Sequence, residues 1–123
     1  MIYETTYDSI KQIVNQMNSY HSNNIEELKL TIFFKEVETL SISLCILCLK
    51  FEELSKYDNI KIASMCILIS INKKMKVLHE EKHIKFVNSF IYYLMKKFKI
   101  GKDFFDEFFK LLCLNYEEHK YQK

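Results

Sequence analysis

The 123-residue chain contains no proline, no tryptophan and a single glycine, Gly101. β-Rich folds need turn residues at regular spacing, and this scarcity removes them, leaving an all-α bundle as the fold class. Arginine is also absent, so all 18 basic residues are lysine. Lysine supplies point charges and lacks the bidentate fork with which proteins grip phosphate and carboxylate. With 16 acids interspersed, the net charge is only +2, and no strong field toward nucleic acid is expected. The cluster Lys96, Lys97, Lys99 and Lys102 reads first as a solvated helix end and second as a phosphate contact. No run reaches the ~20 apolar residues of a membrane span. The opening MIYETTYDSI is acidic and polar, unlike a signal peptide.

Hydrophobic periodicity then places the helices. Tyr3, Tyr7, Ile10, Val14 and Met17 form a stripe at helical spacing. SYHSNN (Ser19–Asn24) interrupts it, and Asn24 suits a cap for a second helix near Ile25 to Phe34. Glu36 to Leu54 carries a seam at Leu40, Leu44, Leu47, Phe51 and Leu54, with a further apolar face at Ile42, Cys45, Ile46 and Leu49. Ile60 to Val77 is apolar nearly all round over ASMCILISI, as the centre of a bundle requires. Ile84, Val87, Ile91, Leu94 and Phe98 make another stripe, closed by lysines and Gly101 as a C-cap. Asp103 to Leu114 is an aromatic last helix. The expectation is one domain over 1–123 with six to seven helices around a central apolar one.

Two motifs suggest chemistry. His79-Glu80-Glu81-Lys82-His83 satisfies H-E-x-x-H, but it falls between two helical stripes and its variable positions are charged. A zinc protease needs both histidines on one face of a continuous helix, so the match reads as coincidence. Cys45-Ile46-Leu47-Cys48 is a C-x-x-C within an apolar helix, where thiolates are disfavoured. Cys45, Cys48, Cys66 and Cys113 read as buried small hydrophobes in a reducing compartment. No nucleophile elbow or phosphate loop appears, so neither an enzyme nor a cofactor is expected.

The segment LSKYDNIKIASMCILISINKKMKVL (Leu54–Leu78) resembles the central-helix region of the poxviral Bcl-2-like proteins, most closely their mitochondrial cell-death inhibitors. There a polar turn precedes V/I-K-L/I-A and a long apolar helix ending in a lysine pair. Ile84–Phe98 falls where the second helix of that family's central hairpin lies, and Asp103–Leu112 where its short C-terminal helices lie. Heavy use of Ile, Lys, Asn, Tyr and Phe suits an AT-rich genome, such as many parasites and large DNA viruses have, and bears on source and not on activity. The resemblance implies a Bcl-2-like bundle whose groove captures the Bcl-2 homology 3 (BH3) helix of host pro-apoptotic proteins. It also implies a cytoplasmic location in the host cell, at the mitochondrial outer membrane where a C-terminal anchor follows. The cellular Asn-Trp-Gly-Arg turn corresponds to Asn59-Ile60-Lys61-Ile62: Asn59 keeps the cap, and Lys61 replaces arginine as a point charge. The groove expected on this basis is lined by Phe33, Phe34, Leu40, Leu44, Leu47, Phe51, Leu54, Asn59, Lys61, Ile62 and Met65. Each buried Leu- or Ile-sized anchor is worth roughly 1.5–3 kcal/mol, against under about 1 kcal/mol for an exposed Lys61 pair. A rival mode in the same family uses outer faces, often in homodimers, to bind immune-signalling adaptors.

Overall fold

Ten consecutive residues, Ile62 to Ile71, are buried, which sets the plan of the molecule. A computed structural model describes the backbone of residues 2–21 and 28–121, and the side chains of 6, 8–16 and 30–116. Its helices are α1 (Ile2–His21), α2 (Leu28–Leu49), α3 (Glu52–Ser55), α4 (Asn59–Lys74), α5 (Glu81–Lys97) and α6 (Lys102–Tyr121), with a 3₁₀ turn at Met75–Val77. No strand occurs among the described residues. The all-α bundle read from composition is therefore the architecture, with the apolar helix α4 at its centre.

α4 packs chiefly against α2 and α1. Ser41 and Cys48 of α2 meet Ser70 and Cys66 of α4, so the two helices run antiparallel with small side chains between them. The Ser41 hydroxyl donates to Ser70 Oγ at 3.1 Å, and Ser70 donates to the Cys66 carbonyl at 2.7 Å. These hydroxyls are satisfied locally, so their burial carries little penalty. Ile10, Ile13 and Val14 of α1 close a second side. Tyr3, Tyr7 and Met17 of the expected α1 stripe lie outside the described side chains, as do Asn24 and its expected cap.

Three local expectations need correction. The expected helix near Ile25–Phe34, described from Leu28 onward, and the seam from Glu36 are one continuous helix, because neither glycine nor proline separates them and Lys35 and Glu36 simply face water. The break comes instead at Lys50–Phe51, ahead of the four-residue α3. Asn59 is not the cap of α4. Asp58 precedes the helix, and Asn59 Oδ1 accepts the Thr6 hydroxyl at 2.9 Å, tying α4 to α1. Gly101 is not the left-handed cap of α5 either. That conformation belongs to Lys99, with φ 55°. The Ile100 N–H donates to the Met95 carbonyl at 2.8 Å and the Lys99 N–H to that of Lys96 at 3.4 Å. This paired pattern is a Schellman motif, and the buried Ile100 supplies its apolar contact.

A lysine in the left-handed region costs about 1–2 kcal/mol. Lys99→Gly is expected to raise the denaturation midpoint, whereas Gly101→Ala, with nothing within 4 Å of the added carbon, should leave it nearly unchanged. Ile67→Ala in α4 should cost about 2–5 kcal/mol in urea unfolding. Ile32→Ala, at a side chain 52 % exposed, should stay within about 0.5 kcal/mol.

Candidate binding surface

The expected groove residues divide by burial. Phe33, Phe34, Leu54, Ile62 and Met65 are each no more than 1 % exposed and belong to the core. They do not line an open surface, which corrects the expectation. Leu40, Leu44, Leu47 and Phe51 are partly exposed and run along one flank of α2 toward α3. The structure thus keeps part of the apolar stripe at the surface and draws the rest inward.

α6 closes the α3 end of the stripe, while Phe34 on α2 meets Phe86 of α5 at 6.0 Å between ring centroids. Tyr57, between α3 and α4, meets Phe104 edge-on at 5.3 Å and Phe108 at 5.7 Å between ring centroids. Phe108 is completely buried. Asn115 donates to Glu53 at 3.3 Å and to the Leu111 carbonyl at 2.8 Å. The aromatic face of α6 therefore covers the corner where α3 enters α4. Lys61 is drawn into the same arrangement: its ammonium donates to the Lys99 carbonyl at 3.3 Å and sits 4.9 Å from the Phe104 ring centroid. The cation expected to meet a partner's carboxylate instead braces α4 against the α5–α6 connection. Sequence reasoning missed this because the contacts span tens of residues and follow no period.

The two suggestive motifs are now placed. His79 is exposed before α5, while His83 is 3 % exposed on its inner face. They do not share a helix, because Glu80 between them is extended and α5 begins only at Glu81. Among the described residues no three His, Cys, Asp or Glu side chains gather as metal ligands. Cys45, Cys48 and Cys66 are buried, as their apolar setting implies, with Cys48 and Cys66 sulfurs 4.0 Å apart. Burial, reinforced by neighbouring Cys48, pushes the Cys45 thiol up to about 11. The Cys66 thiol is also raised, first by its hydrogen bond with Cys48 and then by burial. Cys113, expected to be buried, is exposed on α6.

Other apolar groups face outward. Tyr92 is 69 % exposed on α5, and Phe109, Leu114 and Tyr116 are exposed on α6. Phe105 and Phe109 stack nearly parallel, 6.2 Å between centroids. On one flank of α5, Phe86, Ser89, Phe90 and Tyr93 line an open, largely apolar hollow of about 130 Å³. Lys96, Lys97, Lys99 and Lys102 are all exposed. No helix among the described residues is long and apolar enough to cross a membrane. The fold and surface define an all-α bundle with exposed apolar strips. No family model, curated protein or solved structure matches the chain.

Cys113 should react with a thiol reagent at neutral pH in the native state, and Cys45, Cys48 and Cys66 only after denaturation. For Cys45 the folded value lies above the ordinary 9.0, so its contribution is complete below pH 9.0 and declines as pH rises toward about 11. Replacing Cys45 with Ala should flatten that alkaline loss in denaturant titrations.

Proposed function

We propose that the chain is a non-catalytic viral protein of the Bcl-2-like kind, which blocks host death or immune signalling by binding a host protein. The mode favoured is docking of a signalling adaptor on outer helix faces, with homodimers as one route to a larger surface. One observation carries this preference: α6 covers the α3–α4 corner while its own outer side presents Phe109 and Tyr116 to water. Exposed aromatics are the residues that most often anchor protein interfaces. Aliphatic and aromatic groups already at the surface cost nothing to uncover, whereas buried ones must first be released from the core.

A second reading, capture of a BH3 helix of a pro-apoptotic protein, is favoured by the stripe of Leu40, Leu44 and Leu47 on α2 with Phe51 just beyond it. These four are spaced as an amphipathic helix would meet them. The reading then requires α6 to leave Tyr57 and Lys61, exposing the inner part of the groove. Apolar burial in such a complex would dominate, since an exposed Lys61 pair adds under about 1 kcal/mol. Such a protein would work in the host cytoplasm, or at the mitochondrial outer membrane if an anchor is attached.

Titration of fluorescent BH3 peptides separates the readings. Outer-face docking predicts no saturable binding in the micromolar range, and Phe109→Glu should abolish adaptor association in calorimetry without lowering the unfolding midpoint. If the peptides do bind, groove capture is the mode, and Phe51→Ala should weaken them more than Lys61→Ala. An adaptor that binds Phe109→Glu as well as the unaltered chain would remove the outer-face reading.

A further inference from the structure

Lys82, Lys85, Ser89, Tyr92 and Lys96 recur at alternating intervals of three and four residues and so share one strip of α5. All five are exposed. Beside this strip lies the apolar hollow of Phe86, Phe90 and Tyr93, with Ser89 on its rim. Lys97 stands at the C-terminal end, its ammonium 5.5 Å from the ring centroids of both Tyr93 and Phe98. The hollow thus has ammonium groups toward both ends of the helix. Glu80 and Glu81 approach Lys82 and Lys85 at 3.8 and 3.5 Å. Both are solvent-exposed pairs of small net worth, which an incoming carboxylate can exchange with at little cost.

We infer that this strip of α5 binds an acidic helical segment of a partner protein, its carboxylates meeting Lys82, Lys85 and Lys96 and one large apolar side chain entering the hollow. The inference deepens the outer-face reading and rests on it. Charge fixes the register of such a segment, and the hollow supplies the point of anchorage. A nucleic acid has no comparable side chain to place in the hollow, and the strip offers it no arginine fork. A membrane surface is matched by protruding apolar residues, whereas here they are recessed and only Tyr92 stands out at 69 % exposure.

The probe is a short fluorescein-labelled helical peptide with glutamates at heptad spacing and a single leucine, titrated against the whole chain by anisotropy. Its controls carry Gln for Glu, or Ala for the leucine. Ser89→Trp, which fills the hollow, and the double substitution Lys85→Glu with Lys96→Glu each alter only exposed positions, so circular dichroism should be unchanged. Each variant and each control peptide is expected to weaken binding by at least about tenfold, and added salt should weaken it further. Binding indifferent to the peptide's charge, or to Ser89→Trp, overturns the assignment. So does preferential binding of phosphatidylserine vesicles or a single-stranded RNA oligomer that Ser89→Trp leaves intact. An adaptor lost on Phe109→Glu but retained on Ser89→Trp would leave the proposed function standing and remove this site alone.

Discussion

The antiparallel contact between α2 and α4 is the constraint on which the other arrangements depend. Ser41 and Cys48 face Ser70 and Cys66 across it, and these small side chains let two backbones approach where Leu or Phe would hold them apart. Closeness has a condition: the hydroxyls must find partners without water. They do so through each other and through a helix carbonyl one turn back. With that seam closed, α4 can be surrounded, and a helix with no polar face from Ile62 to Ile71 becomes stable. The Cys66 thiol is raised first by its hydrogen bond with Cys48 across this seam and then by burial, and the Cys45 thiol chiefly by burial.

Around this seam the remaining helices divide the labour unevenly. α1 is joined to α4 by Thr6 and Asn59 and to α2 by the Lys11–Glu38 pair. α6 holds the same N-terminal end of α4 through rings: Tyr57, Phe104 and Phe108 interlock. α5 contributes Val87, Phe90 and Leu94 to the core but leaves a long outer face in water. The surface available to a partner follows from this division. It lies on α5, on α6 and along one flank of α2, where apolar groups remain after the core is filled.

The central helix was legible in the sequence because it needs no partner to be recognised: a run apolar on all sides has only one place to go. The buried C-x-x-C followed by the same logic, since its thiols sit among aliphatic neighbours in the chain itself. The turn position of His79 was legible for a related reason, as it falls between two periodic stripes. The groove was not legible. Leu44 and Leu54 look alike in a helical stripe, yet Leu54 is completely buried while Leu44 is only partly so. What separates them is where α6 lands, and that depends on contacts such as Glu53 with Asn115 across 62 residues.

Composition and periodicity by themselves determined that this chain is a helical bundle, which helix lies at its centre, and that its central thiols are shielded. Those properties depend on local patterning, where the spacing of apolar side chains dictates which face must leave water. Only the tertiary structure decided which residues of the apolar stripe remain at the surface, that Lys61 is spent on the α5–α6 connection, and that Lys99 rather than Gly101 takes the left-handed turn. Each of these is settled by competition between distant groups for the same space or the same hydrogen bond, and such competition has no signature along the chain.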